Sequence, residues 1–302
     1  MIQVVGHLNP DSDAICSAWV TAKWLARQGR KAQAWRAGAL NRETQFIFDR
    51  AGLEPPPLLD ISLEDQAVWL VDFTELAQGP ETLNSSNIIG IIDHHRLGGL
   101  VTSLPPEVWI KPVGSTATVL WQIMLPEQRQ ALTAAECTLL LGAIFSDTVA
   151  LRSPTTTQDD RNAAEVLNLR AGVDARQFAK ELLHAKTDIA GLSAETLLRK
   201  DLKRFDFSGT QVWVAQLELA DIDQVTPLLP AIQAEMARLQ ASQHADLVVL
   251  MLTDISQPAS CLHFTGSALP GAKPCTIPGM ISRKKQLLPW LENQLTLSGG
   301  KP

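Results

Sequence analysis

Ile88-Ile89-Gly90-Ile91-Ile92-Asp93-His94-His95-Arg96 is the stretch on which the fold turns. The run from Ile88 to Ile92 contains no polar side chain and no alternation, the pattern of a strand covered on both faces, as in a parallel sheet. It ends on a carboxylate and two adjacent imidazoles, so reactive side chains sit where the strand leaves the sheet. Upstream, Val68-Trp69-Leu70-Val71-Asp72 has the same form, and Ile2 to Val5 opens into Gly6-His7-Leu8-Asn9-Pro10-Asp11-Ser12-Asp13. Between these runs the period changes to that of helices. Ile15 to Gln28 places Ile15, Trp19, Ala22 and Leu25 on one face before Gly29; Ala32 to Trp35 reads as a strand, and Glu43 to Ala51 as a helix closed by Gly52. Alternating strands and helices predict an α/β domain, a parallel sheet with helices on both faces.

From Ser115 the pattern is helical: Thr116 to Met124, Thr133 to Ile144, Thr157 to Asn168 and Asp174 to His184. Asp188 to Leu202 also reads as a helix, and a domain boundary is expected near it, giving residues 1–188 and 189–302. The second half then predicts a smaller α/β domain with a mixed sheet, its clearest pieces being strands at Val212 to Leu217 and Leu247 to Leu252 and a helix at Ile232 to Gln240. Gln257 to Pro278, rich in Pro, Gly, Ser and Ala, reads as a loop crossed by one short strand near Leu262.

Bulk composition removes several classes of function. At 302 residues, with 45% hydrophobic and 19% charged, the chain can fill two cores and has no apolar run near membrane-spanning length. A net charge of −6 gives no general attraction to nucleic acid. The four cysteines form no C-x-x-C pair, which disfavours a thiolate zinc site and suits a reducing compartment. The start of the chain has neither the basic nor the apolar part of a signal peptide, so a cytoplasmic protein is expected.

Carboxyl ends of parallel strands meet at one crevice, so the loops carrying His7, Asp11 and Asp13, then Asp72, then Asp93, His94 and His95 should converge there. Each piece alone has an ordinary reading: Asp13 as a helix cap, Asp72 as a strand's exit into solvent. Convergence of these loops favours one site. Asp147, at the tail of an apolar helix, opposes the helix dipole and calls for a nearby cation. Oxygen and imidazole donors together suit Mn²⁺ or Co²⁺. Asp11, Asp13, Asp72 and Asp147 with neutral His7 and His94 balance two divalent ions, which could share a water of lowered pKa. Ser282-Arg283-Lys284-Lys285-Gln286 and Lys203 read as exposed basic surface or as a phosphate clamp.

Taken in order, Gly-His-x-Asn-Pro-Asp-x-Asp, Val-Asp, Asp-His-His, Ser-Asp-Thr and Ser-Arg-Lys-Lys-Gln resemble the DHH phosphoesterase superfamily, and within it family II inorganic pyrophosphatases. The resemblance implies a metal-binding catalytic domain over residues 1–188 and a DHH-associated substrate-binding domain over 189–302 that closes over it. One Mn²⁺ would be held by His7, Asp11, Asp72 and Asp147, the other by Asp13, Asp72, His94 and Asp147, with a hydroxide bridging the pair. It further implies catalytic roles for His95, which would contact the attacked phosphate, and for Asp93, which would support the histidines. Lys203, Arg283 and Lys284 would bind pyrophosphate carrying Mg²⁺, in a homodimer. Family members commonly have Val-Asp-His-Asn-Glu where this chain has Val71-Asp72-Phe73-Thr74-Glu75, a change that bears on metal preference and turnover rather than on the reaction. The alternative within the same chemistry is a short-chain polyphosphatase; a catalytically silent binding protein is disfavoured by retention of every proposed ligand.

Overall fold

The computed structural model describes residues 1–298, and the chain divides into two compact units, Met1–Lys186 and Thr187–Pro302. The first unit is built on five parallel strands, β1 (Ile2–Val5), β2 (Ala32–Trp35), β3 (Ala67–Val71), β4 (Asn87–Asp93) and β5 (Glu107–Ile110), in the order β2-β1-β3-β4-β5. Helices α1 (Ser12–Arg27), α2 (Arg42–Ala51), α3 (Thr116–Ile123), α4 (Pro126–Gln130), α5 (Ala134–Asp147), α6 (Gln158–Ala171) and α7 (Ala175–Lys186) complete it.

Helices α1 and α3 pack against the sheet, and Trp24 of α1 meets Trp69 of β3 edge to face at 6.1 Å. The opposite face is closed by 3₁₀ turns at residues 76–78 and 81–85. There Leu83, Leu63 and Phe73 pack with Val5, Val68, Leu70 and Ile91. Gly90 interrupts the apolar run of β4 because a Cβ there would lie 2.2 Å from the Trp69 ring. The edge strand β5 is short and largely exposed, without the apolar run that makes a strand legible in sequence.

The second unit carries a mixed five-stranded sheet, β6 (Leu202–Phe207), β7 (Thr210–Leu219), β8 (Leu247–Asp254), β9 (Ala259–Gly266) and β10 (Cys275–Pro278), ordered β10-β9-β8-β7-β6. Only β7 and β8 run parallel. Its helices are α8 (Ala194–Arg199), α9 (Leu229–Ser242) and α10 (Leu288–Ser298). Alternate residues of β7 and β8 face two cores. One core holds Leu217, Leu250 and Leu252 with Leu197, Ile232 and Met236; the other holds Val214, Val249 and Met251 with Met280, Leu287 and Leu291.

Two expectations are corrected in this unit. Asp188 to Leu202 is not one helix: Gly191 turns at φ +77°, Ser193 caps the short α8 by accepting from Thr196 N, and Leu202 already begins β6. Gln257 to Pro278 is not mainly loop, since β9 and β10 pair through it, antiparallel, from Ala259–Pro278 to Leu262–Cys275. Among the described residues no helix is long and apolar enough to cross a membrane.

Candidate metal centre

Parallel strands bring the loops after β1, β3 and β4 to one edge of the first sheet. After β1, Asp11 caps α1 by accepting from Ala14 N at 3.0 Å. That leaves Asp13 inside the first helical turn, fully buried, with its carboxylate available to other elements. After β3, Asp72 still donates its N–H to Ile92 O at 2.9 Å, then turns at φ +71°, a conformation costly for a residue with a Cβ. The next residue, Phe73, turns into the core, so this position offers no ligand, and Thr74 donates to Arg96 O at 3.0 Å and accepts from Gly98 N at 3.1 Å.

Three groups of side chains have ligand atoms within 4.8 Å of one another: His7, Asp11 and Asp72; Asp13, Asp72, His94 and Asp147; and Asp72, His94 and His95. His7 Nε2 lies 3.8 Å from Asp11 Oδ2 and 3.5 Å from Asp72 Oδ2. His94 Nε2 lies 3.4 Å from Asp72 Oδ1 and 3.5 Å from Asp147 Oδ2. The structure thus brings together every residue proposed as a ligand. It places Asp147 in the second group and not in the first, so Asp72 is the carboxylate common to both, one oxygen toward each.

Asp93 is buried and holds the main chain of both histidines and the imidazole of His95. Its Oδ1 accepts from His94 N at 2.7 Å and His95 N at 3.1 Å, and lies 2.9 Å from His95 Nδ1. The hydrogen bond to Asp93 is the leading cause that raises His95 above its usual pKa, against a burial effect that lowers it. His95 remains 54% exposed at its side chain, the one imidazole of the cluster open to a ligand from solvent.

Electrostatically, the cluster is poised for cations. Burial alone would lower the histidines, yet Asp11 and Asp72 push His7 up to about 10, and Asp72 and Asp13 push His94 up to about 9. Burial, then the charge of Asp72, pushes Asp13 up to about 6; burial and the charges of Asp13, Asp11 and Asp72 hold Asp147 well above the usual carboxylate range. Asp72 Oδ2 is buried without a hydrogen-bond partner. A buried, unsatisfied carboxylate oxygen among mutually repelling carboxylates and imidazoles is the donor set of a borderline-hard divalent ion. The residues fit Mn²⁺.

Several residues at this edge carry no signal that spacing could reveal. The turn from Val113 to Ala117 holds ligands through main chain and one hydroxyl: Val113 O at 3.0 Å from His94 Nδ1, Thr116 N and Ala117 N on Asp13 at 2.5 and 3.0 Å, and Thr116 Oγ1 on Asp72 Oδ1 at 2.8 Å. Beside Asp147, Ser146 Oγ donates to the buried Glu43 at 2.7 Å, and Lys186 Nζ lies 3.1 Å from the same hydroxyl. In the second unit Arg283 opens a π-helical turn, Arg283–Leu287, and is only 7% exposed. Its guanidinium donates to Asp201 O at 2.7 Å and Asp201 Oδ1 at 2.9 Å. Lys203 pairs with the same carboxylate at 3.6 Å, and Lys284 is exposed.

Comparison with known proteins agrees with this architecture. Residues 1–144 match the DHH family, N-terminal domain, and residues 180–294 match the DHHA2 domain. The manganese-dependent inorganic pyrophosphatase of Methanothrix thermoacetophila is 36% identical over 305 aligned residues, covering 97% of each chain. A probable manganese-dependent inorganic pyrophosphatase of Deinococcus radiodurans is 38% identical, covering 97% of this chain and 98% of its own. Among solved structures, a candidate family II inorganic pyrophosphatase of Methanococcus jannaschii is 34% identical and superposes with a TM-score of 0.67, covering 98% of this chain and 100% of its own. With ligand groups that share Asp72, both domain types in order and full-length relatives of one kind, the chain belongs to the manganese-dependent, family II inorganic pyrophosphatases.

Proposed function

We propose that the chain hydrolyses inorganic pyrophosphate to two orthophosphates, consuming one water, with two Mn²⁺ per subunit as cofactor. The observation that carries this is Asp72, whose two carboxylate oxygens face separate ligand groups, His7 with Asp11 and Asp13 with His94 and Asp147. Co²⁺ suits the same donors, and Mg²⁺ would accompany the substrate. When bound, the metals supply Lewis acidity and a water acidic enough to attack near neutral pH. The chain's own groups do the rest. Asp93 holds His95 by Nδ1 and raises its pKa, which favours the imidazolium form that would donate to the phosphate under attack. Lys203, Arg283 and Lys284 would hold the pyrophosphate anion, Arg283 also fixing Asp201 at the entry to β6.

Tripolyphosphate is the competing substrate, and the test is phosphate release with Mn²⁺ on pyrophosphate, tripolyphosphate and a nucleotide side by side. Fastest turnover of pyrophosphate is expected; faster turnover of tripolyphosphate would reassign the chain as a polyphosphatase, and no release from any would refute hydrolysis. A cytoplasmic homodimer is part of the proposal, supported by free buried thiols at Cys16 and Cys137 and by an exposed edge strand with Trp109 42% accessible. Sedimentation tests the dimer.

A further inference from the structure

The Val113–Ala117 turn holds Asp13, His94 and the shared Asp72, and bonds neither His7 nor Asp11. Its contacts fall on His94 Nδ1 through Val113 O, on both oxygens of Asp13 through Thr116 N and Ala117 N, and on Asp72 Oδ1 through Thr116 Oγ1. Of the second group only Asp147 is untouched. Asp72 Oδ2, which faces His7, takes no bond from the turn, and neither His7 nor Asp11 does. The turn has its own anchor in Asp160, a fully buried carboxylate on α6. Asp160 accepts from Gly114 N at 2.8 Å and Thr118 Oγ1 at 2.6 Å on the turn and helix α3, and from Thr157 N and Thr157 Oγ1, each at 2.7 Å, at its own helix start. Gly114 is pressed so closely on this anchor that a Cβ would lie 2.8 Å from Asp160 Oδ2 and 2.7 Å from Thr148 Cγ2. Apart from the half-buried His94 and Thr157 these groups are buried, so most of the bonds are made in a medium where leaving them unmade is costly.

We infer that Asp160, acting through the Val113–Ala117 turn, is a positioning residue for the Asp13 and His94 ligands of one metal site, whereas the Thr116 hydroxyl positions Asp72, the ligand that both sites share. The inference rests on the two-metal reading above. Partners that orient metal ligands typically change metal affinity about 10- to 100-fold when removed. The asymmetry of the contacts therefore predicts an asymmetric loss when Asp160 is changed.

The test is Mn²⁺ titration of the full chain by calorimetry, with electron paramagnetic resonance of the bound ions, for wild type, Thr116→Val, Thr116→Ser and Asp160→Asn. Thr116→Val removes the hydroxyl that donates to Asp72 Oδ1 and keeps the side-chain volume. Because Asp72 serves both sites, both should weaken about tenfold or more in this variant. Thr116→Ser should restore wild-type binding, and Asp160→Asn, by loosening Gly114 and Thr118, should weaken one site about tenfold or more and the other clearly less, so that a singly loaded species appears below saturation. Equal weakening of both sites in Asp160→Asn, or unchanged binding in Thr116→Val, would overturn the inference. A wild type that binds a single Mn²⁺ would overturn the two-metal reading itself, an outcome visible before any variant is made.

Discussion

At φ +71° and 1% exposure, Asp72 holds a carboxylate where neither backbone sterics nor hydration favours one. Its neighbours explain the placement: extended backbone would carry the side chain on along the strand, whereas the left-handed turn folds it over the end of the sheet, between His7 and His94. Asp72→Asn isolates its charge, because Asn accepts the left-handed conformation about as readily as Asp. The variant should stay folded, lose roughly 100-fold or more of pyrophosphatase activity, and bind Mn²⁺ more weakly at both sites. Weakening at one site only would mean that the two groups do not share this residue. Asp72 and His94 were legible in the sequence because apolar strand runs end at them, and Asp147 because a carboxylate at the tail of an apolar helix opposes its dipole. Thr116 and Val113 were not, since they act through an amide, a hydroxyl and a carbonyl that many residues could supply, and Asp160 was not, because its carboxylate reaches the turn from a helix distant in sequence. The shared role that the resemblance implies for Asp147 has no counterpart in the ligand groups, where Asp72 alone joins His7 and Asp11 to Asp13, His94 and Asp147. Charge counting says how many carboxylates a pair of ions needs, but not which of them reaches both.

Strand β4 shows what an element's sequence encodes and what it hides. Its isoleucines announce a strand buried on both faces, but Gly90 in the middle has no explanation until Trp69 is seen to fill the space where a Cβ would sit. Gly90→Ala should therefore destabilise the fold by about 1–3 kcal/mol, the usual cost of overpacking, as read from chemical denaturation. If the folded fraction is retained, Mn²⁺ affinity should be little changed, since the strand end carrying Asp93 and His94 lies beyond the clash. An unchanged denaturation midpoint would mean that Trp69 can move aside. The first unit was readable at this scale because buried parallel strands have long apolar runs. In the second unit a single turn at Gly191 broke a helical pattern that propensity alone would continue, and the β9–β10 hairpin hid in a segment whose Pro and Gly content suggested a loop. Pairing with β8, a tertiary fact, is what makes β9 a strand.

For the whole molecule, the buried cluster makes metal, stability and pH one linked problem. In the metal-free fold His7 and His94 are pushed up to about 10 and about 9, above the ordinary histidine value of 6.5, by Asp11, Asp72 and Asp13 acting against burial. A raised histidine stabilises the fold fully below its unfolded pKa, and that contribution is lost as pH rises through the folded value. Asp13, raised to about 6 by burial and by Asp72, destabilises increasingly as pH climbs from the unfolded carboxylate value of 3.8, and fully above about 6. Asp147 is shifted in the same direction. Both effects have one sign: between about pH 6.5 and 9 the metal-free protein should lose stability as pH rises. Mn²⁺ reverses the balance, because it binds the deprotonated imidazoles and carboxylates and displaces their protons. Each proton displaced makes affinity rise by about tenfold per pH unit within that window. The gain in melting temperature on adding a fixed, saturating excess of Mn²⁺ should therefore be larger at pH 8.5 than at pH 6.5. It should shrink when a chelator removes the ion, and shrink most at the higher pH. Calorimetric melts at the two pH values, with and without Mn²⁺, check this directly. A gain that is flat or falls with pH would show that the cluster binds its metal without giving up protons, and so that His7 and His94 are already neutral in the metal-free fold.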